Sequence, residues 1–163
     1  MARTNTRTSP SFSGLTPAST ASSIVKRANR SINTRHELLL RSELWAMGLR
    51  YRKNFPGLPG KPDLVFSRAR VVVFCDGDFW HGRNWARLKH ELGHRHNSSY
   101  WCAKISRNIA RDKRTTAELE RLGWAVVRLW ETDILKRPMA TATELREMIR
   151  RRLSGRRRVW ARQ

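Results

Sequence analysis

The chain has 163 residues, which is enough for one domain with a hydrophobic core. Lys and Arg number 34 against 13 Asp and Glu, so the net charge is +21 at pH 7. Such a surplus predicts a polyanionic partner, because neutralised phosphates release condensed counterions. A membrane is the weaker alternative, since the longest apolar run, at 71–75, is far too short to span a bilayer. The two cysteines, Cys75 and Cys102, form no CxxC motif, which fits a reduced, cytoplasmic setting.

The N-terminal third predicts a flexible arm and then a helix. Residues 1–33 are rich in Ser, Thr, Ala and Arg and are predicted to form a basic, largely disordered arm. A helix is predicted at 34–47, where Thr34 and Glu37 form a capping-box pattern ahead of an apolar run. Glu37 therefore has a structural interpretation, as a cap, beside any functional one.

The rest of the chain predicts a mixed sheet flanked by helices. The continuous β-branched run at 71–75 is typical of a strand at the centre of a sheet. The further predicted elements are strands at 49–54 and 63–66, a loop or short helical insert at 77–97, a helix at 98–122 ended by Gly123, a strand at 124–130, and a helix at 141–153 opened by a Thr141–Glu144 capping box and ended by Gly155. The order α-β-β-β-α-β-α predicts a single α/β domain at 34–154, followed by a basic tail at 155–163.

A cation site is predicted where two of these strands meet. Asp63 opens one strand, and Asp76, Asp78 and His81 follow the next. If the strands pair as a hairpin, Asp63 lies close to the backbone around Cys75. Hard cations such as Mg²⁺ prefer oxygen ligands of this kind. The alternative is that Asp63 only belongs to a turn, where Asp is common.

A histidine and a second aspartate add the elements of hydrolysis. Asp112 falls within the apolar stripe of the long helix, so it needs a partner there: a histidine, a metal site, or a neighbour such as Arg111 or Lys113. His81 is either a solvated loop histidine or a general base. Asp63, His81 and Asp112 together in so basic a chain indicate phosphodiester hydrolysis, with a metal ion stabilising developing charge while His81 activates water.

Two further groups of side chains have open interpretations. Trp80, Trp85 and Trp101 lie in polar surroundings and are candidates for stacking on bases, the alternative being core packing. A second group, His90, His94 and His96, either binds metal or lies in a solvated, phosphate-contacting loop; the absence of nearby Cys or Asp at useful spacing favours the loop.

Several segments together resemble the very short patch repair endonucleases, which are bacterial enzymes with the PD-(D/E)XK nuclease fold. The segments are LPGKPD at 58–63, VVFCDGDFWH at 72–81, YWCAKISRNIARD at 100–112 and LGWAVVRLWE at 122–131. The resemblance runs from about residue 34 to residue 134. It implies a restriction-endonuclease-like fold and an Mg²⁺-dependent endonuclease that nicks DNA 5′ to the thymine of T:G mismatches left by deamination of 5-methylcytosine.

The resemblance implies catalytic roles position by position. Asp63 and the backbone carbonyl of Cys75 match the metal ligands. His81 matches the catalytic histidine, and Asp112 matches the aspartate paired with it. Glu37 matches a glutamate on the first helix that organises water near the metal.

It also implies how the substrate and the partners are bound. Phe79, Trp80 and Trp101 match aromatic residues that wedge into DNA beside the mismatch, and Lys104 and Asn108 belong to the same DNA-binding motif. The expected substrate is mismatched double-stranded DNA, and mismatch-repair proteins are the expected partners. We expect a monomer that acts in the cytoplasm, associated with the nucleoid, and not on a membrane.

The chain departs from the resemblance at a structural zinc site. The best-known members hold zinc with three cysteines and a histidine, where this chain has Asp78, Arg83, Trp85 and Thr132. No structural zinc is expected from such ligands. We expect packing by Trp85 and an Asp78–Arg83 ion pair to replace it. Asp76 is a second departure, either an extra metal ligand or a turn residue.

A minor-groove segment near the N-terminus is matched poorly, with Ile24 or Val25 as candidates. Two alternatives to mismatch nicking therefore stay open. One is a nuclease of the same fold with a different, restriction-type DNA substrate. The other is a non-catalytic, basic nucleic-acid-binding protein, which is disfavoured because carboxylates near phosphates weaken binding.

Overall fold

The computed structural model describes residues 32–160, with side chains to residue 155. Residues 1–31 of the predicted arm, which include Ile24 and Val25, and the end of the predicted tail therefore lie outside the described residues. The elements in chain order are α1 (Arg35–Ala46), β1 (Arg52–Lys53), β2 (Leu64–Phe66), β3 (Val71–Asp76), α2 (Trp85–Gly93), α3 (Ser98–Arg121), β4 (Ala125–Trp130), α4 (Glu131–Lys136) and α5 (Pro138–Trp160).

The capping box predicted for α1 is confirmed. The Thr34 hydroxyl accepts a hydrogen bond from the Glu37 N–H and donates one to Glu37 Oε1 over 2.9 Å. The other carboxylate oxygen of Glu37 accepts the N–H of Asn33 over 3.1 Å. These contacts fix the start of α1 and hold the glutamate, which is buried.

The mixed sheet has the strand order β1-β2-β3-β4. The predicted hairpin is confirmed, since β2 pairs with β3 in antiparallel fashion and Leu64 lies opposite Val73. On its other side β3 pairs with β4, which runs parallel to it and places Val127 opposite Val73. A parallel pair needs a long crossover, which α2 and α3 supply. The carboxyl ends of β3 and β4 consequently meet at one edge of the sheet.

Helices pack on both faces of the sheet, as an α/β domain requires. On one face α1, α4 and α5 contribute Leu40, Ile134 and Leu145 to a buried cluster with Leu64 and Val73. On the other face Leu119 of α3 packs with residues of β2 and β3. Both faces of β3 are covered, which explains its continuous run of buried residues.

Several predicted bounds were wrong. The final helix begins at Pro138 instead of residue 141 and continues through Gly155 to Trp160. Proline suits a first helical turn, where no backbone donor is needed. Thr141 is accordingly not a cap, because its own N–H donates to the Arg137 carbonyl. Of the predicted strand at 49–54 only Arg52–Lys53 forms.

Two short helices add to the predicted order. Helix α2 lies within 77–97, where a loop or a short helical insert was predicted, so the helical alternative is confirmed. Helix α4 follows β4 with no intervening residue and was not predicted. Across residues 32–160, no helix combines the length and apolarity that crossing a membrane demands.

Candidate active site

Asp63 and the backbone of Cys75 meet at the open end of the β2–β3 hairpin, as predicted. Asp63 Oδ2 accepts the Cys75 N–H over 2.7 Å. Burial, reinforced by the neighbouring carboxylates Glu37 and Asp76, raises the pKa of Asp63 to about 6 against the lowering effect of the Cys75 N–H. An anionic Asp63 is therefore disfavoured in this environment unless positive charge is supplied nearby.

His36 lies against the carbonyl of Cys75 and was missed by the sequence analysis. Its Nε2 is 3.3 Å from Cys75 O and 3.1 Å from Thr34 Oγ1, and its Nδ1 is 3.5 Å from Glu131 Oε1. The residue is only 5% exposed. It therefore connects the start of α1 to the ends of β3 and β4. The only sequence signal was a polar residue inside the capping box.

Glu37 is fully engaged by its own helix. It is 3% exposed, and its Oε2 accepts a hydrogen bond from Arg41 Nη2 over 2.6 Å in addition to the capping contacts. The structural role predicted for it is present. Its carboxylate also contributes to the electrostatic environment of Asp63.

His81 and Asp112 form the contact that the sequence predicted. His81 Nδ1 is 2.6 Å from Asp112 Oδ2. Burial acts to raise the pKa of Asp112, but the His81 hydrogen bond and the positive charges of Arg128 and Arg111 outweigh it, so that the pKa is lowered. The alternative partner Arg111 contacts the other carboxylate oxygen over 3.2 Å. Asp112 is thus held as an anion beside the imidazole.

Asp76 and Arg128 extend this pair into a partly buried network. Arg128 Nε and Nη2 donate to the two carboxylate oxygens of Asp76 over 2.6 and 2.8 Å. The same Nη2 is 3.4 Å from Asp112 Oδ1, and His81 Nδ1 is 3.4 Å from Asp76 Oδ1. Asp76 is the last residue of β3 and is 3% exposed, so it is not a turn residue. Sequence reasoning missed Arg128.

A second polar cluster fastens the loop between β3 and α2. Asp78 accepts hydrogen bonds from the hydroxyl and the N–H of Thr132 at the start of α4. Arg83 lies 3.5 Å from Asp78 and donates to Asp133 over 2.8 Å, so the predicted Asp78–Arg83 ion pair is present. We call these four residues the loop clamp. Trp85, the other residue predicted to stabilise this region, is a half-buried first residue of α2.

Aromatic side chains form a half-buried group beside the clamped loop. Phe79, Trp80 and Trp101 are in mutual contact, with ring centroids 5.2 to 5.8 Å apart. Asn108 donates to the Trp80 carbonyl over 2.9 Å and so ties the loop to α3. Lys104, one turn from Trp101, has its ammonium 5.9 Å from the Tyr100 ring. The sequence-predicted aromatic residues are therefore brought together.

The remaining histidines lie elsewhere. His90 and His94 lie at the end of α2 with ring centroids 5.2 Å apart, and like His96 they are exposed. Within residues 32–160 no three side chains of His, Cys, Asp or Glu are grouped so that they alone could hold a metal ion. A cation at this site would consequently rely on backbone oxygen and solvent as well as on Asp63.

Comparison with known proteins gives consistent results. The family described as DNA mismatch endonuclease Vsr matches residues 15–87. A type II nicking enzyme of Neisseria meningitidis serogroup C is 44% identical over 124 residues, which are 76% of this chain and 82% of the relative. Another from Haemophilus parainfluenzae is 40% identical over 125 residues, 77% of this chain and 87% of the relative. The DNA mismatch endonuclease Vsr of Escherichia coli K12 is 33% identical over 129 residues, 79% of this chain and 81% of that protein.

Proposed function

We propose, from the premise that this chain belongs to the Vsr family of DNA mismatch endonucleases, that it is an Mg²⁺-dependent enzyme that nicks one strand 5′ to the thymine of a T:G mismatch. It is a DNA endonuclease of the Vsr type. What we propose is its specificity for the T:G mismatch, the position of the nick and its dependence on Mg²⁺. The observation that carries it is the His81–Asp112 contact next to the Asp63–Cys75 hairpin end. Asp76 follows Cys75 in the chain, and its Oδ1 is 3.4 Å from His81 Nδ1.

His81 acts as the general base for the attacking water. Its Nδ1 faces the Asp112 carboxylate, which accepts only if that nitrogen carries the proton. Nε2 is then the nitrogen that accepts a proton from water attacking phosphorus. Asp112 stabilises the imidazolium that results, because its lowered pKa keeps it anionic.

Asp63 and the Cys75 carbonyl fit a hard divalent cation. Both present oxygen, and the pKa of Asp63 is raised by burial and by the carboxylates Glu37 and Asp76, whose negative charge favours a bound cation. When bound, Mg²⁺ supplies charge that stabilises the developing negative charge on the phosphate oxygens. Glu37, held by Arg41 and the cap, positions solvent on the α1 side of this pair.

Phe79, Trp80 and Trp101 recognise the distorted duplex by insertion between base pairs. Unstacking costs least where pairing is already weak, as at a mismatch. Asn108 holds the Trp80 backbone in place for this insertion, and Lys104 contacts the adjacent phosphate. An enzyme with this function acts as a monomer on chromosomal DNA in the cytoplasm, in cooperation with mismatch-repair proteins.

A second candidate is favoured by the names of the relatives. Those from Neisseria meningitidis and Haemophilus parainfluenzae are called type II nicking enzymes, whose names specify no mismatch. Nicking of paired DNA by the same residues is therefore the rival function.

Strand cleavage with Mg²⁺ on duplexes that carry one central T:G pair separates the candidates. We expect a nick confined to the thymine strand, no cutting of the T:A duplex, and at least a thousand-fold loss of cleavage in Asp63→Ala, since an essential metal ligand is removed. Asp63→Ala should retain salt-dependent binding, and Glu144→Ala on α5 is the matched control that retains cleavage. Equal cutting of paired DNA would support the rival, and binding without any cutting would support a non-catalytic protein.

A further inference from the structure

We infer that Arg128 and Asp76 are positioning residues for the general base: Arg128 neutralises Asp76, so that Asp112 is the one carboxylate left to His81. This role deepens the proposed function and rests on it. It explains a partly buried cluster in which two carboxylates face one guanidinium and one imidazole.

The guanidinium is held independently of the histidine. Arg128 lies opposite Phe74 in the parallel β3–β4 pair, and its guanidinium carbon is 4.7 Å from the centre of the Phe74 ring. Its Nε and Nη2 bind both oxygens of Asp76, a two-point contact that fixes the plane of the carboxylate as well as its distance. Asp76 therefore presents a defined edge to His81.

Two carboxylates face the His81 ring, and two arginines act through them. Asp112 comes from α3 and Asp76 from the end of β3. Arg128 of β4 and Arg111 of α3 act through these carboxylates. If the Arg128 guanidinium were absent, two carboxylates within 3.4 Å of Nδ1 would strongly favour the imidazolium form of His81. That form has no lone pair with which to accept a proton. Arg128 removes one of these negative charges and leaves the other to orient the ring.

The pairing also constrains what Asp76 does. Each of its carboxylate oxygens already accepts a short hydrogen bond from Arg128, and the side chain is 4% exposed. The structure therefore assigns it to the base rather than to the cation site, although it directly follows Cys75 in the sequence.

Two substitutions should move the pH dependence of cleavage in opposite directions. In Arg128→Met both carboxylates act on the ring, so the acid limb of the pH–rate profile should move up by about 1 to 2 pH units. In Asp76→Asn the positive charge of Arg128 is no longer neutralised, so the acid limb should move to lower pH. The double variant should return it close to the wild-type position. Arg150→Met on α5, which removes the same charge at an exposed site, is the control.

The wild type and the same four variants, free of metal, should show these shifts in the NMR titration of the His81 ring, which does not depend on cleavage. Opposite shifts with recovery in the double variant support the inference even if no duplex is nicked, in which case only the proposed function fails. Nicking by the wild type with no displacement of the limb or of the ring titration in either variant overturns it. If Arg128→Met does not fold, the nearly isosteric Asp76→Asn alone decides by the sign of its shift.

Discussion

Asp63 occupies a position where its negative charge is unfavourable in the metal-free protein. The folded protein raises its pKa from 3.8 to about 6 through burial and the nearby carboxylates. A carboxyl group whose pKa is higher in the folded state stabilises the fold while it is protonated, at low pH, and this contribution is lost as the pH rises through the folded pKa. Near neutral pH the metal-free protein therefore carries a destabilising charge.

Asp63→Asn should stabilise the metal-free protein at neutral pH. The uncharged amide can still accept a hydrogen bond from the Cys75 N–H. The free energy of unfolding of the variant should therefore exceed that of the wild type by up to about 3 kcal/mol at about pH 7.5, and by little at about pH 4. Urea unfolding of both proteins with a chelator, at the two pH values, measures this. Added Mg²⁺ should stabilise only the wild type. An Asp63→Asn protein less stable than the wild type at neutral pH would show that the carboxylate is structural.

His36 lies next to the proposed cation site and is not one of its proposed ligands. Its Nε2 lies at the Cys75 carbonyl, so it orients an oxygen proposed as a ligand. His36→Gln keeps a donor at a similar reach, whereas His36→Leu keeps the volume and removes the donor. We expect His36→Leu to reduce nicking about tenfold and to weaken the Mg²⁺-dependent rise in melting temperature. His36→Gln should preserve both; equal defects in the two variants would contradict this role.

Among the elements, the loop between β3 and α2 is held to the rest of the domain by the loop clamp. The loop clamp joins both ends of the segment that carries the aromatic residues and His81 to the start of α4. Its partners are about one-third exposed, so their attraction is screened by solvent. The clamp therefore acts mainly by fixing geometry.

Cutting the clamp should disturb catalysis more than folding. Asp78→Ala and Arg83→Ala should each lower the melting temperature slightly and reduce nicking by about 10- to 100-fold, because a small displacement of a catalytic group is costly. The double variant should be little worse than either single one, since both remove one connected contact. Arg87→Ala, which breaks an exposed pair on α2, is the control. Additive losses would mean that the two residues act separately.

The same cluster predicts that no zinc holds the loop. Metal analysis of purified protein should find far less than one zinc per chain, and a strong chelator should leave the melting temperature unchanged in the absence of Mg²⁺. One tightly bound zinc per chain would contradict the hypothesis that the loop clamp takes the place of a zinc site.

Elements with a repeating or local signal were predictable from the sequence. The capping box of α1, the β2–β3 hairpin and the position of Asp112 on an otherwise apolar stripe each follow from a few neighbouring residues. Helix α4 was missed because its six residues follow β4 directly and are too few to show a period. Arg128 was missed because its contact with Asp76 depends on parallel register between strands 52 residues apart in sequence.

Charge is unevenly distributed over the whole molecule. The net charge is +21, yet seven of the 13 acidic residues take part in the site and the loop clamp. These seven are Glu37, Asp63, Asp76, Asp78, Asp112, Glu131 and Asp133. DNA is therefore attracted by the protein as a whole and repelled locally at the catalytic residues. Phosphate must be guided to the site by basic residues close to it.

Helix α3 offers such a guide in Lys104, Arg107, Arg111 and Arg114. Their spacing of three and four residues places them along one face of the helix. Lys104 lies one turn from Trp101, and Arg111 contacts the Asp112 carboxylate over 3.2 Å, so two of the four basic residues lie near the aromatic group and the partner of His81. Contacts from these residues to phosphate would position the duplex without reading its sequence.

Neutralising part of this face should weaken binding without changing the preference for a mismatch. In Arg107→Gln/Arg114→Gln the slope of log affinity against log salt concentration should become shallower by about 2, because two phosphate contacts are lost. The ratio of affinities for T:G and T:A duplexes should stay the same, since phosphates carry no sequence information. Arg150→Gln/Arg151→Gln, which removes the same charge from α5, is the matched control and should change the slope less. Titrations with chelator present, so that no strand is cut, measure both quantities. Equal effects of the two double variants would mean that net charge, and not the α3 face, guides the DNA.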